Sequence, residues 1–384
     1  MPSILFAVTV PFTAKAFLRE QMGWFAAHGW DVVLVTSDGP EASMLSTQPG
    51  TEVRIVPMTR NPSPVRDLRA LASWLAVLGA TSPDIVVAGT PKAGLLGMLS
   101  SWARRIPVRI YHARGLRAEG LKGPALYISM SAEWLACACS TEVLCDSDSL
   151  LAEMRRRRLL SSSKGIVLGA GSASGVDTNH FRPPNEDERA AVREHLGFKD
   201  EDFVVGFIGR LAWDKGVREL VVALSKLRRQ HPNARLLMVG PVEDPDILDF
   251  LHSEGSTWIT HIDYMSDPRD MYWALDLFCL VSYREGFPIA VLEATSSGLC
   301  VVVSDATGCR DAVIPGQTGF VVPVGDSNAL AARLSEVISM PDTRHQIGLE
   351  ARRRAQAEFR SALVTRNIWE FVNKSLERST PSNP

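Results

Sequence analysis

The stretch "LFCLVSYREGFPIAVLEATSSG", residues 277–298, runs from an apolar segment through a Gly-Phe-Pro break into a segment of helical composition. An unbroken apolar run suits a strand buried on both faces, and Pro288 suits the first turn of a helix, where its missing N–H costs nothing. Strand, loop and helix in that order predict one unit of a parallel sheet. Sheets of this kind bind ligands beyond the carboxyl ends of their strands, where loops run into helix N-termini. Glu285 stands in the loop, and Glu293 lies about a turn and a half inside the helix. One reading makes the backbone from Gly286 through Phe287 and Pro288 to Ile289 a cradle for an anion. Glu285 then projects across the cradle, and Glu293 accepts hydrogen bonds from vicinal hydroxyls such as those of a ribose. The other reading makes Glu285 a partner of the helix dipole and Glu293 an exposed helical charge. The neighbours of Glu293, "IAVL" before it and "ATSSG" after it, favour the first.

The same alternation extends outward along the chain. Strand candidates in the first half are "ILFAVTV", "DVVLVT", "VRIV", "DIVVA", "VRIY" and "EVLC", mostly separated by helical segments such as 14–28 and 66–79. In the second half they are "FVVGFIG", "RLLMVG", "LFCLVS" and "LCVVVS", with a last helical segment at about 343–376. Alternation of this kind predicts βαβ units and parallel sheets covered on both faces. A polar, proline-bearing connector, "GVDTNHFRPPNEDERAAVREHLG" at 175–197, marks the switch between halves. The expected architecture is α/β, with two Rossmann-like α/β/α domains facing one another across a cleft. The first spans 1–182 and the second 183–359. A C-terminal helix at about 360–376 is a candidate to pack back on the first, and 377–384 is expected to be a flexible tail.

Length and composition agree with this. A chain of 384 residues exceeds one ordinary core, and 46% hydrophobic with 22% charged residues is a globular composition. Charges or Gly/Pro interrupt the longest apolar stretches, so no membrane span is expected. Met1 leads directly into "ILFAVTV" without a basic n-region or cleavage site, so no signal peptide is expected either. The cysteines at 137, 139, 145, 279, 300 and 309 fall in no metal or redox spacing. Reduced core thiols in a cytoplasmic protein are the expectation. Residues 1–180 carry 18 Lys and Arg against 14 Asp and Glu, and the remainder 23 against 29. A modestly basic first half suits an anionic surface such as a lipid headgroup layer, and the imbalance is too small for a nucleic-acid partner.

A second loop repeats the logic of the first. "FVVGFIGRLAWDKGVRELVVAL", 203–224, places Gly209, Arg210, Lys215 and Gly216 between a strand and a helix. Close backbone approach, free N–H groups and two cations suit a diphosphate, and a solvated basic turn is the alternative. The loop is not a Walker A sequence, and "GAGSASG" at 169–175 lacks dinucleotide-fingerprint spacing. A third loop carries Gly308 and the turn "GQTGF" at 316–320, either a further wall of the site or plain turn chemistry, the latter favoured for 316–320.

In this order, "GFIGRLAWDKG", "YREGFPIAVLEA" and "GCRDAVIPGQTGFVVPVGD" resemble the donor-binding half of the retaining glycosyltransferases of family 4, which have the GT-B fold. The family's E-x7-E element matches Glu285 and Glu293, and its GR…KG loop matches Arg210 and Lys215. The first half joins through "TVPFTAKAFL", "GTPKAGLLGMLSSW", "YHARGLRAEG" and "GAGSASGVDTNHF", which look like the subgroup that builds O-antigen, capsule or N-glycan precursors on polyprenyl diphosphate. The resemblance implies that Arg210 and Lys215 neutralise the diphosphate of a nucleotide-sugar donor, most simply a UDP-sugar. It implies that Glu293 holds the ribose and that Glu285 contacts the donor sugar beside an oxocarbenium-like centre. Neither metal nor cofactor is implied. Thr9 and Thr13 would close the site from the first domain. Lys92, Arg114 and Arg117 are candidates for an acceptor diphosphate, and His112 is either a ligand to a sugar hydroxyl or a satisfied structural histidine.

Two positions depart from the family pattern: Cys300 stands where proline is usual, and Ala118 where a larger residue is common. The implied reaction is retaining transfer of a hexose or N-acetylhexosamine to a sugar acceptor on polyprenyl diphosphate. A soluble enzyme acting on a small metabolite and a non-catalytic nucleotide-sugar-binding protein are the alternatives. An epimerase or dehydrogenase would need a dinucleotide fingerprint after the first strand, which "AVTVPFTAKAFL" does not supply. "CDSDSL" at 145–150 imitates a metal-binding D-x-D but stands where a helix cap is expected. Finally, the apolar "LKGPALYISMSAEWLACACS" at 121–140 and the basic "MRRRRLL" at 154–160 leave two readings open: a buried helix with solvated arginines, or peripheral docking at the inner face of an anionic membrane.

Overall fold

A computed structural model of the chain describes residues 1–59, 63–161, 163–255 and 257–379. By contacts it divides into two compact units, residues 1–174 joined by the segment from Ser361 on, and Gly175–Arg360.

The first unit holds a six-stranded parallel sheet of β1 (Ser3–Ala7), β2 (Asp31–Thr36), β3 (Thr51–Ile55), β4 (Ile85–Gly89), β5 (Val108–Ala113) and β6 (Glu142–Cys145). These are the six apolar runs of the first half. Their order, β3-β2-β1-β4-β5-β6, puts the topological switch between β1 and β4. Alternate side chains feed two cores. Leu5, Ala7, Val33 and Val86 join Trp74 and Tyr111 on one face, while Ile4, Phe6, Val32 and Leu34 pack with Phe25 on the other. Val364, Ile368, Phe371 and Val372 of the helix Ser361–Ser379 recur at helical spacing and complete the second core, which ties that helix to this unit.

The second unit repeats the topology with β7 (Phe203–Ile208), β8 (Ala234–Val239), β9 (Ile259–Ile262), β10 (Leu277–Leu280), β11 (Val301–Ser304) and β12 (Phe320–Val322). The order β12-β11-β10-β7-β8-β9 sets the switch between β7 and β10. That adjacency brings the loops after "FVVGFIG" and "LFCLVS" side by side.

Several expectations need correction. The single helix over 343–376 is two, Pro341–Glu358 and Ser361–Ser379; Arg360, in the break, forms a bridge to Val176. Residues 377–379 are therefore helical, and the rest of the expected tail, 380–384, lies outside the described residues. Residues 175–182 make their contacts inside the second unit: Val176 N donates to Phe359 O, and His180 Nε2 lies 3.0 Å from Asp267 Oδ1. The helix expected over 14–28 is broken at Leu18 into Pro11–Phe17 and Arg19–Ala27. The cysteines, by contrast, stand as expected: all six are buried free thiols. The turn at 316–320 is closed by Gly316 N on Gly319 O and leads into β12.

Candidate functional site

In the second unit the site grows from two loops at the switch point. After β7 the chain passes through Gly209 and Arg210 into a short 3-10 turn, Trp213–Lys215, and then Gly216, the N-cap of the helix Val217–Leu227. Gly216 has φ +74°, and a Cβ there would sit 2.3 Å from Val281 O, in the loop after β10. Only glycine permits this approach. Further bonds staple the loops together: Tyr283 N donates to Asp214 O at 2.9 Å, and Arg284 Nη2 lies 2.9 Å from Asp214 Oδ2.

The approach sets Lys215 against Glu285. Lys215 Nζ is 2.6 Å from Glu285 Oε1, which also accepts the Ser282 hydroxyl at 2.8 Å. Both side chains are about 15% exposed, enclosed enough to strengthen their attraction yet open to a ligand. The third loop packs beneath: Glu285 N donates to Thr307 O, and Gly308, at φ +77°, would place a Cβ 2.6 Å from the carbonyl oxygens of both Glu285 and Gly286. Phe287 turns into the core beside Phe359. Pro288 is the N-cap, one position earlier than the first-turn place expected, and Ile289 begins the helix Ile289–Ser296; Val291 N turns back to Pro288 O, while the N–H groups of Ile289 and Ala290 precede the first helical bond.

Arg210 behaves differently. The structure pairs it with Glu243, both side chains 41% exposed. Glu293 is not a solvated charge. Tyr272, on the helix Arg269–Trp273, donates its hydroxyl to Glu293 Oε2 at 2.6 Å. Burial pushes the Glu293 carboxyl up to about 7; the Tyr272 bond opposes this and the charge of Asp267 adds to it.

The first unit gathers polar groups at the carboxyl ends of β1, β4, β5 and β6. Thr9 Oγ1 lies 2.8 Å from Thr90 Oγ1, and Ala93 N, in the first turn of the helix Pro91–Ala103, donates to Thr9 Oγ1. Thr90 holds φ +67°, an outlier for a β-branched residue and a local store of strain. Lys92 is engaged with Asp67 at 2.7 Å rather than open to an anion. Thr13, half-buried, lies in the helix Pro11–Phe17, and Arg117 is exposed in a 3-10 turn. His112 Nε2 is 2.7 Å from Asp146 Oδ1, and Arg114 Nη2 is 3.4 Å from His112 Nδ1. A guanidinium only donates, so Nδ1 accepts and Nε2 carries the proton given to Asp146. Burial lowers the His112 pKa, against the pull of Asp146, and the ring is neutral with both nitrogens engaged. The geometry favours the satisfied-histidine reading. Arg114 stacks on Phe17, and its Nε and Nη1 are buried without a partner.

In the D-x-D imitation, Ser147 caps the helix Asp148–Arg156 by accepting from Leu150 N, while Asp146 turns to His112. The residues missed from sequence are Tyr272, Ser282, Asp146, Glu243 and Thr90. Only Thr90, before a proline at a strand end, carried a local signal.

Each unit matches a protein-family model. The model "Glycosyl transferases group 1" matches residues 188–354, and "Glycosyl transferase 4-like domain" matches 13–171. The capsular polysaccharide biosynthesis glycosyltransferase CapM of Staphylococcus aureus is 30% identical over 365 residues, 94% of each chain. An Escherichia coli UDP-Gal:alpha-D-GlcNAc-diphosphoundecaprenol alpha-1,3-galactosyltransferase is 25% identical over 293 residues, 73% of each. Among solved structures, Anabaena HepE in complex with UDP superposes with a TM-score of 0.81 at 20% identity, covering 97% of this chain and 100% of that one. The chain is a retaining glycosyltransferase with the GT-B fold and belongs to group 1 of these enzymes, family 4.

Proposed function

We propose that the chain moves a hexose or N-acetylhexosamine from a UDP-sugar to a sugar acceptor carried on polyprenyl diphosphate, in the assembly of a capsule or related surface polysaccharide. The observation that carries this is the Lys215–Glu285 pair, seated where two loops and two helix N-termini meet. Lys215, with Arg210 released from Glu243, neutralises the diphosphate as it leaves with growing negative charge. Glu285 faces the positive centre of the sugar, and Glu293 takes the ribose hydroxyls. The leaving phosphate accepts the acceptor's proton, so no separate base is required. CapM, a capsular polysaccharide biosynthesis enzyme, and the galactosyltransferase, named for a diphosphoundecaprenol-linked acceptor, support the acceptor class. The HepE structures with UDP and with UDP-glucose support the base.

A thermal-shift panel tests the donor. UDP at a hundred times its dissociation constant is expected to add about 2.7 kcal/mol, a shift of several degrees, while GDP, dTDP and NAD add little. A winning GDP or dTDP replaces the donor. A winning NAD, or no shift at all, removes the reading of the loops.

A lipid-linked acceptor implies work at a bilayer, and one helix suits it. Gly123–Cys139 carries a single charge, the buried Glu133, and exposes Tyr127 (72%), Ile128 (65%) and Trp134 (55%). Exposed Lys122 begins it. The arginine run adjoins it, since Arg157 Nη1 reaches Met130 Sδ on the same helix. An uncharged face with aromatic anchors and a basic margin fits an anionic interface. Among the described residues no helix is long and apolar enough to cross a membrane. The protein is expected to float with phosphatidylglycerol vesicles and not with phosphatidylcholine. Tyr127→Ser/Trp134→Ser should stop flotation while leaving the UDP shift intact. Equal flotation of the double variant removes this surface.

A further inference from the structure

We propose that Tyr272 is a positioning residue for donor binding: its hydroxyl fixes one oxygen of Glu293, leaves the other for the vicinal hydroxyls of a nucleoside ribose, and supports the ionised carboxylate that this contact requires. The inference rests on the reading that Glu293 meets the ribose.

The geometry is specific. The Tyr272 hydroxyl is 2.6 Å from Glu293 Oε2 and 3.3 Å from Ala290 O, on the same helix as Glu293. Its ring is fixed edge-on against Phe181, with centroids 5.8 Å apart, and tilted against Phe278. A buried tyrosine held on both sides has little freedom to turn away, so the carboxylate it grips is held as well. The helix Ile289–Ser296 carries no charge besides Glu293. Asp267 faces Glu293 from the loop before the helix Arg269–Trp273, and His180 and Arg269 surround Asp267 in turn. From the helix Pro341–Glu358, Arg352 reaches the carbonyl of Ser296 near the end of the Glu293 helix.

A ribose diol donates two hydrogen bonds best to an ionised acceptor. Enclosure has pushed the Glu293 carboxyl up to about 7, which brings its ionisation into the neutral range. The donated bond from Tyr272 favours the ionised form, and the Asp267 charge disfavours it. The two neighbours therefore push the pH dependence of donor binding in opposite directions.

The test is calorimetric titration of the intact protein with UDP between pH 5.5 and 9. For the parent, affinity should rise through a midpoint near 7. Tyr272→Phe should move the midpoint up by about one unit, weakening binding roughly fivefold at pH 7, by close to tenfold at pH 5.5 and hardly at all at pH 9. Asp267→Asn should move it down, which keeps the test open even if Tyr272→Phe folds poorly. Glu293→Gln should bind weakly with no such midpoint. A structural role for Tyr272 predicts the same loss at every pH, and that result, or an unmoved midpoint, overturns the proposal. If Glu293→Gln binds UDP as the parent does, the ribose reading itself fails. If Glu293→Gln loses binding while Tyr272→Phe does not shift the profile, only the role of Tyr272 fails.

Discussion

Lys215→Ala and Glu285→Gln are each expected to lower the rate of donor-sugar cleavage by about 10²–10³-fold, the usual size of losing one preorganised group aimed at transition-state charge. The reaction develops charge at both ends of one breaking bond, and the two residues answer one end each. On the function proposed above, Lys215 meets the departing diphosphate and Glu285 the sugar left behind. They differ in the ground state, because UDP carries the diphosphate but not the sugar. Lys215→Ala should therefore weaken UDP binding as well as turnover, whereas Glu285→Gln should leave UDP affinity nearly unchanged while turnover falls. Because Lys215 Nζ lies 2.6 Å from Glu285 Oε1, the carboxylate loses its anchor when Lys215 is removed, whereas the amide of Glu285→Gln still offers Lys215 an oxygen. The double variant should then lose little more than the worse single one, well short of the product of the two losses. Hydrolysis of a UDP-sugar without acceptor measures all three, and calorimetry measures UDP. Turnover of Glu285→Gln within about threefold of the parent would remove Glu285 from the chemistry. Fully multiplicative losses would show that the contact seen here does not couple the two groups.

This pair shows how far the sequence could be read. That both loops follow buried strands was legible from "FVVGFIG" and "LFCLVS", because a strand covered on both faces has no polar side to disguise it. That Lys215 would touch Glu285, 70 residues on, was not legible locally. It follows from β7 lying beside β10, an order fixed by the whole sheet. β9 and β12 escaped for the opposite reason. "ITHI" and "FVV" are short strands at the two edges of the second sheet, and their four and three residues carry too few apolar positions to set a period. Arg210 was grouped with Lys215 by closeness in sequence, yet its partner is Glu243, beyond β8. Tyr272 reads as one more apolar residue of "MYWAL", since a buried hydroxyl declares itself only through the acceptor it finds. Asp146 was hidden by its neighbour: Ser147 supplies the helix cap that the "DSD" pattern announced, which frees the aspartate for His112.

The other large effect expected is on stability, and it concerns the counterpart of Glu293 in the first unit. Tyr111 donates its hydroxyl to Glu133 Oε1 at 2.5 Å, both residues buried, with Glu133 on the helix whose outer face carries Tyr127 and Trp134. Burial pushes the Glu133 carboxyl up from 4.5 to about 7, against the Tyr111 bond. A carboxyl whose pKa rises on folding contributes its full stability below the unfolded value, near pH 4.5. It loses that contribution as pH climbs through about 7, because the native state must then hold a charge it does not solvate. A rise of this size corresponds to roughly 3 kcal/mol between the two limits. Glu133→Gln keeps an acceptor for the Tyr111 hydroxyl and does not titrate. Its melting temperature relative to the parent should therefore climb by several degrees between pH 5 and pH 8.5, whatever its starting offset from the buried amide at pH 5. Calorimetric melts at the two pH values decide it, and parallel curves would mean that Glu133 is not enclosed as the structure places it. The same arithmetic applies to Glu293, where a function is proposed for the carboxylate: a gain in stability from Glu293→Gln should come with loss of UDP binding. Glu133→Gln should show its gain between pH 5 and pH 8.5 and keep UDP, because the buried charge it removes lies outside the unit for which donor binding is proposed.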